Sequence, residues 1–193
     1  MTYKRDIELV FDLASFQAHK ASSRIDLRYI ADNRERKPAP RTIEKEFFLH
    51  CIRDHVRSLP QNRTKIPELL AMVGAGWDKA RLVSSLISRV NVTFPTAVAR
   101  TTDSSIAIIS SLLLVPLRTK VEVTLGLHGR GDLGGVDVGM SVEARVVYGE
   151  QFNVSKMGEF LATRIGERVK TESEDWSDVV VELQQKLLAK GTK

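Results

Sequence analysis

The chain has 193 residues, a length that suits one large domain or two small ones with a buried core. Hydrophobic residues make up 42% and charged residues 27%, proportions that are typical of folded proteins and argue against global disorder. The net charge of +5 comes from basic residues spread along the chain, so it weakly favours acidic partners without indicating a nucleic-acid-binding face.

A single cysteine, Cys51, rules out an intramolecular disulfide and suits a reducing compartment such as the cytosol or nucleus. It lies on the apolar side of a predicted helix, where we expect a small core residue. No segment approaches the roughly 20 apolar residues of a membrane-spanning helix, so we expect no contact with a membrane.

Alternating apolar residues in the first third predict two strands, at residues 6–12 and 25–29. A charged loop with two prolines follows at residues 32–41. Thr42 is then predicted to cap a helix that ends before Pro60. The apolar side of that helix is Ile43, Phe47, Phe48, Cys51, Ile52, Val56 and Leu59.

Another short helix is predicted at residues 67–73, and Gly74 and Gly76 are expected to break it. From Trp77 the spacing of apolar residues predicts a second helix to Val90, which opens a second domain. The predicted domains are therefore residues 1–75 and 76–193.

Four strands are predicted next, at residues 91–100, 105–115, 119–128 and 136–148, followed by two amphipathic helices. The first of these helices starts near Asn153. The second takes Ser173 as its cap, Glu174 and Asp175 in its first turn, and ends at Gly191. Helices that follow an antiparallel sheet in this way pack on one of its faces, so the fold class is α+β.

The pair of strands from residue 121 to residue 150 encloses a glycine-rich turn. Val121, Val123, Leu125 and Leu127 on one strand, and Met140, Val142, Ala144, Val146 and Tyr148 on the other, are expected to face the core. Gly129, Gly131 and Gly134 match GxGxxG, but a strand and not a helix follows, so a hairpin loop explains them better than a dinucleotide site. A nucleotide-binding enzyme stays open as a minor hypothesis. The tripeptide at residues 130–132 reads RGD, and without a secretion signal chance accounts for it.

Catalytic and metal-binding patterns are absent from the sequence. His50 and His55 are five residues apart, whereas paired helical zinc ligands stand four apart. No serine lies in a GxSxG elbow, and the basic stretch at residues 34–41 has no aromatic residue on which a base could stack. We therefore predict a non-catalytic protein-binding module without cofactor, metal or nucleic acid.

The order of one helix, four strands and two helices from Trp77 onward is the layout of an RWD domain. The segments LLLVPLRTKVEVTLGL and EARVVYGEQF, within residues 112–152, resemble the C-terminal region of fungal outer-kinetochore scaffold proteins of the blinkin type. The opening MTYKRDIELVFDLASF is similar to the strand that follows the coiled coil in those proteins. The resemblance spans essentially the whole chain and implies two tandem RWD-like domains, a reduced one at residues 1–75 and a fuller one at residues 76–193. Each would be a small antiparallel sheet with helices on one face.

The resemblance also implies a nuclear role at the kinetochore, in the network that links chromosomes to microtubules during mitosis. The module would anchor its scaffold protein to the MIND complex by capturing the C-terminal tail of one MIND subunit. A coiled-coil kinetochore partner would bind a region upstream of this chain. The alternative is an RWD-like recruitment domain of a ubiquitin-family or translation-control pathway.

Tail capture needs either a sheet edge that accepts an added strand or a groove between two small domains. The candidate partner-binding residues are Trp77 on the predicted second helix, and Val92, Phe94 and Val98 on the strand that follows it. Each competes with ordinary core packing, because most large apolar residues lie inside proteins.

Overall fold

The computed structural model describes residues 2, 3, 7–12, 24–29, 42–130, 137–150, 152–170 and 175–191. It has the predicted α+β class, with antiparallel strands and α-helices. The chain divides into two compact units, Met1–Leu82 with Gly129–Gly139, and Val83–His128 with Met140–Lys193. The predicted loop at residues 32–41, the positions Gly131 and Gly134, and the predicted cap Ser173 lie outside the described residues.

The first unit contains a three-stranded sheet, formed by β1 (Thr2–Tyr3), β2 (Ile7–Val10) and β3 (Asp26–Tyr29) in that order. Both neighbouring pairs are antiparallel. Opposite residues Leu9 and Leu27 are fully buried, which confirms the two strands that alternation predicts. The buried Gln61, in a short 3₁₀ turn, exchanges two 3.0 Å hydrogen bonds with the backbone of Asp12, just past β2.

Helix α1 (Ile43–Ser58) packs its predicted apolar side inward, with Phe47, Phe48, Ile52 and Val56 buried. Thr42 precedes the helix, but the predicted side-chain cap is wrong. Its carbonyl accepts a 3.0 Å hydrogen bond from the amide of Glu46, whereas its Oγ1 is buried without a partner among the described residues. The two glutamates of the first turn, Glu44 and Glu46, still favour the positive end of the helix dipole.

Helix α2 (Ile66–Thr93) is continuous, so the predicted break at Gly74 and Gly76 is wrong. No proline closely follows either glycine, and each costs a helix only about 1 kcal/mol relative to alanine. Burial of Val73 and Trp77 beside the glycines outweighs that cost. The helix also continues past residue 90, and the first strand of the second unit starts only after Pro95.

The second unit contains a four-stranded sheet, β4 (Thr96–Thr102), β5 (Ser105–Leu114), β6 (Thr119–Arg130) and β7 (Asp137–Tyr148), in sequence order. On β6 the predicted inward residues Val121, Val123, Leu125 and Leu127 are all buried, against Leu112, Ser110, Ile108 and Ile106 of β5. The prediction for β7 is only partly right. Ala144 is buried, but Met140 is 37% and Tyr148 52% exposed.

Two helices, α3 (Val154–Lys170) and α4 (Ser177–Gly191), complete the second unit. Asn153 caps α3 as expected, since its Oδ1 accepts a 2.9 Å hydrogen bond from the amide of Lys156. Helix α4 begins at Ser177, later than predicted, and its first turn closes with a hydrogen bond from the Val180 amide to the Trp176 carbonyl. Asp175 precedes the helix, and its Oδ1 accepts the amide of Ser177 at 3.0 Å. Gln184 of α4 is hydrogen-bonded to Ser110 of β5 inside the core, so α4 lies against the buried face of the sheet.

Candidate protein-binding surfaces

The four residues predicted to bind a partner have very different exposures. Trp77 of α2 is 1% exposed and packs against Tyr29, with ring centroids 5.8 Å apart. Phe94 is 4% exposed, and Val98 on β4 is half-buried. Val92 is 86% exposed and lies in the last turn of α2, so its predicted position on a strand is wrong. Of these four side chains, Val92 is therefore the one whose exposure allows direct contact with a partner.

The pairing of β4 with β5 determines which backbone groups of β4 face outward. The amide of Ser111 donates a 2.9 Å hydrogen bond to the carbonyl of Pro95. In an antiparallel ladder this bond makes Thr96 and Ser110, which lie opposite each other, a non-hydrogen-bonded pair. The alternation then directs the amide and carbonyl of Ala97 toward β5 and those of Val98 away from it.

Val98 is thus one of the residues of β4 whose backbone amide and carbonyl face outward from the described sheet. The amide of Thr96, which also faces outward, donates to Asn91 Oδ1 at 2.9 Å and is already satisfied. Because sheet order places β4 at the edge, a strand that approached it would meet the donor and acceptor of Val98 first.

The face of the sheet opposite the helices carries a network of three charges. The Glu122 carboxylate of β6 lies 2.7 Å from Lys120 Nζ and 2.7 Å from Arg145 Nη2. Hydrogen bonds from Lys120 and then from Arg145 lower the pKa of Glu122, so it stays ionised. Such a closed network holds strands together and leaves no group poised for proton transfer.

Cys51 on α1 is not an activated thiol. Burial, reinforced by the nearby Asp54, raises the pKa of Cys51 to about 11, so the unreactive thiol form prevails at neutral pH. Its half-buried position agrees with the predicted role as a small packing residue. Within the part of the chain that the structure describes, no group of three or more His, Cys, Asp or Glu side chains could hold a metal ion.

A groove of about 470 Å³ runs between the start of α3 and the end of α4. Its floor consists of the buried side chains Met157, Leu183 and Leu187, and Phe152 and Phe160 form half-buried walls. The exposed side chains of Lys156, Lys186 and Lys190 line its rim. The sequence did not predict this groove. The one sequence signal is the spacing of Lys186 and Lys190, four residues apart on one helix.

Comparison with known families bears on the first part of the chain. The first 84 residues match the Knl1 RWD C-terminal domain family. The match confirms, over those residues, the resemblance to the C-terminal RWD region of blinkin-type kinetochore scaffold proteins, and it indicates a kinetochore scaffold module that acts through protein contacts. This Knl1-type family is not a known family of enzymes. Comparisons with curated proteins and with solved structures gave no match.

The described residues on either side of the glycine-rich segment lie in strands. Gly129 lies within β6, and the next described element is the strand β7. A GxGxxG phosphate site needs a helix N-terminus directly after the glycines.

None of the described helices is long and apolar enough to cross a membrane.

Proposed function

We propose that this chain is a non-catalytic adaptor that anchors a kinetochore scaffold protein to the MIND complex, by binding the C-terminal tail of one MIND subunit. The observation that carries the proposal is the match of residues 1–84 to the Knl1 RWD C-terminal domain family. In this proposal residues 1–75 and 76–193 are tandem RWD-like domains, the protein works in the nucleus, and a coiled-coil partner binds upstream of the chain.

The tail binds by adding a strand to the edge of β4. Val98 supplies an outward amide and carbonyl there, and backbone pairing of this kind gives affinity without any acid, base or metal. Asn91 is hydrogen-bonded to Thr96, so the neighbouring Val92, 86% exposed, lies close to the start of the edge. An apolar side chain of the tail can contact it, which accounts for Val92 and Val98 as partner-binding residues.

The test of the function is binding to reconstituted MIND complex, followed by size exclusion and calorimetry. We expect a stoichiometric complex that is lost when one particular subunit tail is deleted and kept when the others are deleted. Absence of binding by the folded chain at tens of micromolar, roughly the weak end for a specific interface, overturns the anchor role. In that case the recruitment-domain alternative becomes the leading hypothesis.

A proline at position 98 tests the mode of binding. Because the amide of Val98 faces away from β5, Val98→Pro removes an outward donor without removing a bond of the β4–β5 ladder. We expect tail binding to weaken about tenfold or more, from the lost hydrogen bond and the bulk of the ring. Val98→Ala is the matched control, since it shortens the side chain and keeps the donor. Equal binding by both variants contradicts strand addition while leaving the anchor role intact.

A further inference from the structure

The groove between α3 and α4 has the size and lining of a peptide-binding site. Its volume of about 470 Å³ lies within the roughly 300–1,000 Å³ typical of clefts that hold a ligand. Met157, Leu183 and Leu187 provide an apolar floor, and the rings of Phe152 and Phe160 close its sides. A bulky apolar side chain of a partner fits this surface.

The rim of the groove is positively charged. Lys186 is paired with Glu182 at 2.7 Å, and its Nζ lies 4.3 Å from the centre of the Phe160 ring. Lys156 and Lys190 have no ion-pair partner among the residues that the structure describes. Two exposed cations beside an apolar floor therefore remain available to an anionic partner.

Helix stability explains the position of one of these two lysines but not of the other. Lys190 lies in the last turn of α4, where a cation complements the helix dipole. Lys156, in contrast, lies in the first turn of α3, where a positive charge opposes the dipole and where the sequence has no acidic residue. The cost of placing a lysine there is consistent with a role in binding.

We propose that the groove between α3 and α4 binds a short acidic segment of a partner protein that carries a bulky apolar side chain. The apolar side chain occupies the floor formed by Met157, Leu183 and Leu187. Carboxylates on either side of it pair with Lys156 and Lys190. This site is separate from the edge of β4 and does not depend on the identity of the protein that binds there.

The probe is a synthetic peptide, EDEFLEDE, titrated into the isotopically labelled chain and followed by amide NMR shifts at low salt. We expect saturable shifts centred on Met157, Leu183 and Lys190. A peptide with the same acids but alanine in place of Phe and Leu should bind at least several-fold more weakly, and a peptide with lysine in place of every acid should not bind. Shifts confined to other residues, or no saturation at about 1 mM peptide, overturn the proposal.

Charge reversal tests the rim directly. The double variant Lys156→Glu/Lys190→Glu should weaken EDEFLEDE binding about tenfold and gain affinity for the lysine-substituted peptide. The control Arg63→Glu/Arg81→Glu changes net charge equally at two exposed arginines outside the groove, and should leave the affinity within about twofold. Equal weakening by both doubles indicates non-specific attraction and overturns the site. Binding of anionic phospholipid vesicles, lost in the groove variant while the peptide fails to saturate, overturns it in favour of a membrane surface.

Discussion

Arg145 of β7 directs both Nε and Nη2 at one carboxylate oxygen of Glu122 on β6, at 3.1 and 2.7 Å. Lys120 holds the other oxygen at 2.7 Å. The Glu122 side chain is only 9% exposed, so the two cations take the place of its water shell. This contact joins the side chains of β6 and β7, in addition to the backbone pairing of the two strands.

Replacing Glu122 by glutamine should lower the free energy of unfolding by about 1–2 kcal/mol, because hydrogen bonds to charged groups are worth about 1.5–3 kcal/mol and glutamine retains part of the geometry. Urea denaturation measures the change. The control is Glu143→Gln, an exposed glutamate on the neighbouring strand β7. Equal stability of the two variants contradicts a stabilising role for the network.

The pH dependence of the same variant follows from the pKa of Glu122, which Lys120 and Arg145 lower from its usual value of 4.5. A carboxyl whose folded pKa is lowered contributes stability in full above its unfolded pKa and loses it as pH falls through the folded pKa. The advantage of the wild type over Glu122→Gln should therefore be constant near neutral pH and shrink as pH falls below about 4.5. Unfolding curves from pH 7 downward test this, and a difference that disappears already near pH 6 contradicts it.

Replacing glycine by alanine should raise stability at two positions of the second unit and lower it at a third. A Cβ at Gly158 or Gly166 of α3 meets no atom within 4 Å, so alanine should raise stability by about 0.5–1 kcal/mol at each. Gly149 has φ +99°, and a Cβ there would lie 2.5 Å from the carbonyl oxygen of Arg118, so alanine should destabilise the fold. Thermal denaturation of the three single variants measures both effects. A stabilised Gly149→Ala would show that this turn is not constrained as described.

The buried contact of Ser110 with Gln184 should behave as a coupled pair. The Gln184 amide donates to Ser110 Oγ at 3.0 Å, and Gln184 is fully buried. Ser110→Ala alone leaves the buried Gln184 amide without this acceptor and should lower the free energy of unfolding by about 1–3 kcal/mol. Ser110→Ala combined with Gln184→Leu removes both polar partners and should recover part of that loss. A double-mutant cycle by chemical denaturation gives the coupling, and strictly additive effects contradict the contact.

Much of the fold follows from apolar periodicity. Strong alternation in β2, β3, β5 and β6 and the helical stripes of α1 and α3 predict elements that the structure confirms within a few residues. The misses have local causes. Gly74 and Gly76 resemble helix stops, but buried packing around Trp77 overrides them. Asp175, predicted in the first turn of the last helix, instead precedes it and accepts the amide of Ser177, the first helical residue.

The candidate surfaces were less predictable, because exposure is a property of the tertiary structure. Trp77 and Phe94 are buried, whereas Val92, only two residues before Phe94, is exposed. The groove was missed because Lys156 and Lys190 are far apart in sequence and meet only where α3 and α4 pack together. Backbone direction at Val98 likewise depends on the register of β4 against β5, which the sequence does not specify.

The order of the four-stranded sheet also affects how the chain folds. Every strand pairs with its neighbour in sequence, and short turns at residues 103–104 and 115–118 connect the first three. Contacts of such low sequence separation cost little loop-closure entropy, so the sheet can form hairpin by hairpin. A chain in which part of this sheet opens can therefore restore it from local contacts, without a slow search for distant partners.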